Sequence, residues 1–376
     1  HRVWSANEKT AMETALGMSY AGKRALVCMK HVGMNVAADC FMNAAITGAN
    51  GGMVVIAADD PSMHSSQNEQ DSRVYGKFAL IPIMEPSNQQ EAFDLSEQMG
   101  TPVLLRITTR LAHSRAGVEP KEAKAENEMR LPEDKRQFVL LPAIAKKRYR
   151  LLLEKQTAFE EASDNSSFNQ YIDGADKSMG IVACGIGYNY LMEVFGGNCP
   201  YPVVKVSQYP LPRKMITKLA ENTEKLLVLE EGYPVIEEAL KGYLEKECVR
   251  GRLDGTLPRD GELNPDHVAK AFGLPSIEGS PVPEIVAPRP PALCVGCSHR
   301  DVYTAFPNAR VFSDIGCYTL GALPPFQAIN SCVDMGASIT MAKGAADAGL
   351  YPAVSVIGDS TFTHSGMTGL LDAVNE

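Results

Sequence analysis

The chain has 376 residues, of which 45% are hydrophobic and 22% are charged, and this balance is typical of a globular protein with two or three domains. Its net charge of −9 argues against a general nucleic-acid or membrane-surface binder, because anionic surfaces require basic patches. The sequence contains neither a long apolar run nor a cleavable signal segment, so we expect a soluble, cytoplasmic protein that binds small molecules or protein partners.

Strands and amphipathic helices alternate in the first segment, residues 1–118. The pattern predicts strands at 53–58 and 102–107 and a helix over 5–22, which favours βαβ architecture with a parallel sheet. Ser5 and Glu8 have the spacing of a helix capping box, and this is the simplest interpretation of Glu8. His1 is not an initiator residue, so we expect the N-terminus to be missing.

The middle of the chain divides at two changes of composition. Residues 119–178 are charged and poor in strands, and we predict a connecting arm. Residues 179–250 predict a small doubly wound domain with a helix over 235–247 and strands at 180–185, 203–206 and 225–231. A linker rich in proline and glycine follows at 251–291, and a third unit spans 292–376.

Gly185 and Gly187 end a predicted strand with the spacing that opens a dinucleotide fingerprint. The third glycine position holds Tyr190, so tight packing of a strand-to-helix turn explains the two glycines as well as a nucleotide does.

Four of the nine cysteines lie close together, at Cys294, Cys297, Cys317 and Cys332. Cys294 and Cys297 form a CysXXCys pair, and Gly296 permits the tight turn from which two thiolates bind one metal ion. A turn with two buried thiols is the alternative.

An apolar run at 354–357 ends abruptly in Gly358, Asp359 and Ser360. Open α/β sheets present ligand-binding groups in this way, at the carboxyl end of a strand. The geometry suits a metal ion that holds a phosphate.

Seven motifs that follow one another along the chain carry a family resemblance. Their positions are 5–9, 30–39, 59–73, 106–114, 294–300, 314–321 and 358–367. Together they resemble the α subunit of indolepyruvate ferredoxin oxidoreductase, in the thiamine diphosphate-dependent 2-oxoacid:ferredoxin oxidoreductase group. The resemblance implies a multidomain α/β fold with a pyrimidine-binding domain (1–118), a transketolase C-terminal-like domain (179–250) and a truncated diphosphate-binding domain (292–376).

The resemblance also implies roles for individual residues. Glu8 matches the glutamate that hydrogen-bonds the aminopyrimidine ring of the cofactor, and Asp359 matches a magnesium ligand. Cys294, Cys297 and Cys317 match cysteines that hold a [4Fe-4S] cluster, with zinc or bare thiols as alternatives. Further cofactor contacts are expected at Gly316, Cys317, Gly358, Ser360 and His364. His31 is a candidate catalytic residue, and the candidate substrate-binding residues are Lys30, His64, Gln67 and Arg73.

The chain departs from the family pattern in three places. The asparagine that completes the magnesium site falls beyond the last residue, because Asn375 comes too early after Asp359. The C-terminal ferredoxin-like module is not found, and a short stretch near 89–98 suggests that residues have been lost internally.

The implied activity is the oxidative decarboxylation of arylpyruvates (indolepyruvate, phenylpyruvate or hydroxyphenylpyruvate) with coenzyme A. The products are aryl-acetyl-CoA and CO2, and electrons pass through iron–sulfur clusters to ferredoxin. A smaller β subunit is the expected partner. A non-oxidative thiamine diphosphate-dependent decarboxylase and a non-catalytic assembly subunit are the alternatives.

Overall fold

The chain forms two compact units in a computed structural model. The larger unit spans residues 8–278, and the smaller comprises the residues up to Asn7 and those from 279 onward. The structure describes residues 4–86, 93–115, 117, 122–132, 134, 137–242, 248–259, 261–275, 283–287, 291–306, 309–332, 335–348 and 350–375. No helix in these ranges has the length and apolar character needed to cross a bilayer.

The first sheet of the larger unit has five strands in the order β1-β2-β4-β3-β8, all parallel except β8. Their bounds are β1 Ala25–Lys30, β2 Met53–Asp59, β3 Ile83–Met84, β4 Val103–Thr108 and β8 Gln208–Tyr209. Strand β2, which lies between β1 and β4, is apolar at nearly every position, as expected for a parallel strand that is covered on both faces. The strands predicted at 53–58 and 102–107 are confirmed as β2 and β4.

Five helices belong to this first α/β segment. They are α1 Glu8–Tyr20, α2 His31–Thr47, α3 Arg73–Ala79, α4 Phe93–Met99 and α5 Thr109–His113. Helix α1 confirms the helix predicted over 5–22. It buries Met12, Ala15 and Ser19, whose spacing places them on one face. Part of the stretch near 89–98, where a shortened helix was suspected, lies outside the described residues.

The second sheet of the larger unit has the order β10-β9-β6-β7-β5, with only β5 antiparallel to its neighbour. Its strands are β5 Gln170–Ile172, β6 Gly180–Cys184, β7 Val203–Val206, β9 Leu226–Leu229 and β10 Val249–Arg250. The accompanying helices are α6 Pro142–Glu154, α7 Gln156–Asp164, α8 Gly187–Val194, α9 Arg213–Glu221, α10 Val235–Lys241 and α11 Pro265–Ala271. The helix predicted over 235–247 begins as expected, and residues 243–247 lie outside the described part.

Two strands cross the segment boundaries that the sequence suggested. Strand β5 comes from the predicted arm yet pairs with β7, and β8 comes from the predicted second domain yet pairs with β3 of the first sheet. One hydrophobic cluster contains residues of both sheets, among them Val55 and Val182. The two α/β segments therefore share a core, and the finer domain division stays a prediction.

The smaller unit contains a three-stranded parallel sheet in the order β12-β11-β13. Its strands are β11 Val311–Ser313, β12 Ile329–Cys332 and β13 Val354–Val356, and its helices are α12 Ser298–Ala305, α13 Ala337–Asp347, α14 Asp359–Thr361 and α15 Met367–Val374. A 3-10 helix covers Cys317–Ala322, and a π-helical turn covers Phe362–Gly366. Strand β13 confirms the predicted run at 354–357, and the predicted α/β fold class is confirmed.

Candidate functional site

Glu8 begins α1 and lies against the first turn of α2. A Cβ atom added to Gly33 would lie 2.5 Å from Cγ and 2.9 Å from Oε1 of Glu8, so any larger residue here would displace the Glu8 side chain. Gly33 is the third residue of α2, where backbone N–H groups lack helical partners and the helix dipole favours a negative charge. The fold thus holds the Glu8 carboxyl group beside a helix N-terminus.

Lys30 and His31 stand at the carboxyl end of β1 and differ sharply in exposure. The Lys30 side chain is 41% exposed, and its Nζ donates hydrogen bonds to the backbone oxygen of Ser65 at 2.8 Å and to its hydroxyl at 3.2 Å. The His31 ring is fully buried, with Nε2 at 3.0 Å from the backbone oxygen of Asn68 and Nδ1 at 3.4 Å from that of Ala58. The buried ring therefore faces two backbone carbonyl groups, one of them in the loop that follows β2. The catalytic role of His31 stays a prediction.

The loop after β2, residues 61–70 (the β2 loop), carries the other candidate polar residues. Gln67 is exposed, and the His64 side chain is 49% exposed with Nε2 at 3.4 Å from Oε2 of Glu262. The other carboxylate oxygen of Glu262 accepts a hydrogen bond of 2.7 Å from Arg110. Arg110 and Glu262 could not be predicted as neighbours of this loop, because nothing in the linker composition indicates that residue 262 meets the β2 loop.

Arg73, a predicted substrate-binding residue, is buried. Its guanidinium donates to Asp71, to Oε2 of Glu230 at 2.9 Å and to the backbone oxygen of Tyr233 at 2.9 Å. The Arg73 side chain is 1% exposed and is engaged by carboxylates and carbonyls, and its contact with a substrate stays a prediction. It links the first α/β segment to the second, since Glu230 directly follows β9.

Arg106 joins the same buried network from the middle of β4. Its side chain is 0% exposed and contacts carboxylates of Asp59 and Glu85 and the backbone oxygen of Glu231. Burial acts to raise the pKa of Asp71, but Arg106 and Arg73 outweigh it and lower that pKa to about 2. For Asp59, burial dominates and raises the pKa despite the contact with Arg106. The sequence signal was an arginine inside an otherwise apolar strand, which requires buried counter-charges.

Asp60 follows β2 and is another residue that sequence analysis missed. It is 3% exposed, and its carboxylate accepts hydrogen bonds from the β2 loop and from Thr109. Burial acts to raise its pKa, yet these hydrogen bonds outweigh burial and lower the pKa to about 2. Asp60 is therefore an ionised centre at the carboxyl edge of the first sheet.

In the smaller unit, β11 and β13 present Gly316 and Gly358 at their carboxyl ends. A Cβ atom on Gly316 would lie 2.2 Å from the Tyr318 ring, and one on Gly358 would lie 2.6 Å from the same ring. The Tyr318 hydroxyl donates to the buried Asp314, which also accepts a backbone hydrogen bond of 3.2 Å from Ser338. Both glycines are thus required by the close packing of one aromatic ring between two strand ends.

Asp359 and Ser360 are exposed and begin the helical stretch that follows β13. The Asp359 Oδ1 atom accepts a 2.8 Å hydrogen bond from the backbone nitrogen of Ser360. Magnesium takes one or two protein carboxylates together with phosphate and water oxygens, so one exposed carboxylate at a helix start fits such an ion. Asn375 ends the C-terminal helical stretch, outside the turn that holds Asp359.

His364 lies in the π-helical turn that follows Asp359. The Ser365 hydroxyl donates to the backbone oxygen of Met335 at 2.6 Å, and it lies 2.7 Å from Nδ1 of His364. Because the hydroxyl proton is already used, Nδ1 is the donor, and Nε2 is the acceptor nitrogen in a neutral ring. Phosphate oxygens need donors, so this tautomer does not favour a neutral His364 as a phosphate ligand through Nε2.

The clustered cysteines do not converge. Cys297 donates its backbone N–H to the oxygen of Cys294 at 3.2 Å, and Gly296 has φ +79°, so the predicted tight turn is confirmed. Cys294 and Cys317 are exposed, and the Cys297 thiol lies 3.5 Å from Nδ1 of His299. Within the described ranges, no three His, Cys, Asp or Glu side chains gather as a metal site. A four-thiolate cluster therefore does not fit this arrangement of thiols.

Comparison with known proteins gave relatives over nearly the whole chain, although no family model matches it. The chain is 41% identical over 403 residues to indolepyruvate oxidoreductase subunit IorA of Methanothermobacter thermautotrophicus, covering 99% of this chain and 65% of the relative. Identity to subunit IorA of Archaeoglobus fulgidus is 42% over 404 residues, covering 99% of this chain and 64% of the relative. The chain thus spans slightly less than two thirds of these relatives. Both alignments are longer than the chain, so the relatives carry residues without a counterpart here.

A solved structure shares the fold. It is 2-oxoglutarate:ferredoxin oxidoreductase from Magnetococcus marinus with 2-oxoglutarate, coenzyme A and succinyl-CoA bound, matched with a TM-score of 0.51 at 11% identity. The match covers 72% of this chain and 56% of that chain. At 11% identity, this match supports the expected α/β architecture alone.

Proposed function

The chain belongs to the family of indolepyruvate oxidoreductase subunit IorA, and on this premise we propose that it binds thiamine diphosphate and takes part in oxidative decarboxylation of 2-oxoacids. The observation that carries the proposal is the Glu8 carboxyl group held against Gly33 at the start of α2. A carboxyl group fixed by packing is what an aminopyrimidine ring nitrogen requires of its partner.

When bound, thiamine diphosphate supplies a nucleophilic carbon for the keto group and accepts the electron pair released with CO2. Glu8 would hold a proton at the ring nitrogen of the aminopyrimidine. Asp359 would ligate magnesium, and Ser360 would donate a hydrogen bond to phosphate. Lys30, a partly exposed cation at the end of β1, would attract the substrate carboxylate.

The finer proposal is that arylpyruvates (indolepyruvate, phenylpyruvate and hydroxyphenylpyruvate) react with coenzyme A to give aryl-acetyl-CoA and CO2. Electrons would pass to ferredoxin through iron–sulfur clusters, in a complex with a smaller β subunit. The name of the relatives supports the indolepyruvate substrate. We assign no electron-transfer step to Cys294, Cys297 or Cys317, since their thiols do not converge in the described structure.

The test uses the complete complex of this subunit with its β subunit and two variants on helix α1. Glu8→Gln should lower arylpyruvate-dependent reduction of viologen by about 10²- to 10⁴-fold, the usual contribution of a positioned acid–base group. Glu13→Gln is the matched control, because Glu13 lies on the same helix with a 47% exposed side chain and pairs only at the surface with Lys9. Unchanged activity of Glu8→Gln would refute the role of Glu8.

The products separate the alternatives. Release of CO2 without viologen reduction would indicate a non-oxidative decarboxylase, and absence of both would indicate a non-catalytic assembly subunit. Iron and acid-labile sulfide analysis of the complete complex tests the cluster proposal independently of turnover.

A further inference from the structure

Asp59 is the last residue of β2 and Asp60 follows it directly, and the two carboxylates face different surroundings. Asp59 contacts Ser72 and Arg106 in the buried charge network, whereas Asp60 faces the β2 loop. Alternation of side chains along a strand explains the divergence. Asp60 is therefore available for a function separate from that of the buried network.

Asp60 accepts hydrogen bonds from two separate segments of the chain, the β2 loop and the start of α5. Its oxygens accept backbone hydrogen bonds from His64 at 3.2 Å and Ser65 at 2.9 Å, and hydroxyl hydrogen bonds from Ser66 at 2.6 Å and Thr109 at 2.8 Å. Hydrogen bonds to an ionised acceptor are stronger than neutral ones. The β2 loop is thus fastened to the start of α5 through one carboxylate.

The Asp60 carboxylate also lies close to the Lys30 ammonium group. The Lys30 Nζ lies 3.8 Å from Oδ2 of Asp60 and donates a hydrogen bond of 2.8 Å to the backbone oxygen of Ser65. Asp60 in turn holds Ser65, because it accepts a hydrogen bond from the Ser65 backbone nitrogen. The Lys30 side chain remains 41% exposed. It immediately precedes α2, whose third residue, Gly33, contacts Glu8.

We propose that Asp60 is a positioning residue, which fixes Lys30 and the β2 loop so that the Lys30 ammonium receives the carboxylate of the 2-oxoacid substrate. This inference rests on the proposed function. A flexible lysine loses side-chain entropy when it binds an anion, and a partner that already holds it lowers this cost.

The experiment measures steady-state kinetics of the complete complex with indolepyruvate. Asp60→Asn keeps the shape of the side chain but removes its charge and one acceptor oxygen. It should raise KM about tenfold to a hundredfold, the effect of losing one charge-assisted hydrogen bond to substrate, with kcat reduced far less. Lys30→Gln should raise KM to a similar extent, and the double variant should not be additive because both changes remove one interaction.

Asp254→Asn is the matched control. Asp254 accepts hydrogen bonds of 3.0–3.1 Å from Gly251, Thr256 and Arg250, and its pKa is likewise lowered to about 2 by these bonds against the effect of burial. It organises a turn after β10, so its loss should lower thermal stability without a change in KM.

Three results would overturn the inference: an unchanged KM in Lys30→Gln, an additive double variant, or an equal rise of KM in Asp254→Asn. If Asp60→Asn does not fold, Ser66→Ala removes one donor to Asp60 and should raise KM a few-fold, and an unchanged KM there counts against the inference. Absence of 2-oxoacid turnover by the unmodified complex is a different result, since it would overturn the proposed function itself.

Discussion

Removal of the buried Arg106 guanidinium is the sharpest test of how the larger unit is held together. Arg106→Met keeps most of the side-chain volume but leaves Asp59 without its cation at 0% side-chain exposure. Glu85, at 5% exposure, keeps the longer contact of 3.7 Å with Arg73. Breaking a buried pair by removing one partner typically costs about 3–5 kcal/mol. The Asp71 pKa falls from 3.8 to about 2 although burial acts to raise it, a net stabilisation of the ionised form of roughly 2 kcal/mol, so Arg106 and Arg73 together outweigh burial.

The predicted effect depends on pH with a definite sign. The folded-state pKa of Asp71 is lower than the unfolded value, so its contribution is present above about pH 4 and is lost as pH falls towards about 2. In the Arg106→Met variant the Asp71 pKa should rise, and much of this contribution is already absent at pH 7. The difference in unfolding free energy between the two proteins should therefore shrink as pH falls below about 4.

Urea denaturation followed by circular dichroism measures both effects, at pH 7 and at intervals down to the lowest pH at which the protein remains folded. Arg250→Met is the control, because Arg250 has a 42% exposed side chain in its pair with Asp254 and should cost less than about 1 kcal/mol. If the two variants lost equal stability at pH 7, or if the Arg106→Met deficit grew as pH fell, the reasoning would be wrong.

Two further predictions concern the glycine beside Glu8 and the thiols. Gly33→Ala should displace the Glu8 carboxyl group and lower the affinity for thiamine diphosphate, measured by calorimetric titration. Gly17→Ala is the control, because an added Cβ meets nothing within 4 Å and should stabilise α1 by about 0.5–1 kcal/mol. Equal affinities of the two variants for thiamine diphosphate would contradict the role of Gly33. Iodoacetamide should label the exposed Cys317 well before Cys184, because burial raises the pKa of the Cys184 thiol well above its usual value. Mass spectrometry measures the order of labelling, and labelling of Cys184 first would contradict its burial.

Several strands, together with helices α1 and α10, could be predicted from local pattern. Residues 53–58 and 354–357 are mostly apolar and rich in β-branched valine and isoleucine, so their local sequence favours strands. The tight turn at Gly296 follows from the freedom of glycine at positive φ. Such features depend on residues that are close together in the sequence, so they can be predicted from it directly.

Partners distant in sequence could not be predicted in the same way. His64 and Gln67 were predicted as substrate-binding residues, but the sequence does not show that their loop is held through Asp60 by Thr109, 49 residues away along the chain. Nor does it show that Arg73 is buried against Glu230, which is 157 residues away. A charge can be buried only when its counter-charge arrives from elsewhere in the fold, and local composition does not contain that information.

The sequence by itself determined the α/β class, the family and the identity of the polar residues that follow each strand, because hydrophobic periodicity and ordered motifs are properties of the chain. Only the tertiary structure decided that β8 completes the first sheet, that β5 completes the second, and that the sheets share a core. It also decided that Glu8 is held by Gly33 while His31 is buried. Strand pairing and burial arise from contacts between distant segments, and those contacts exist only once the chain has folded.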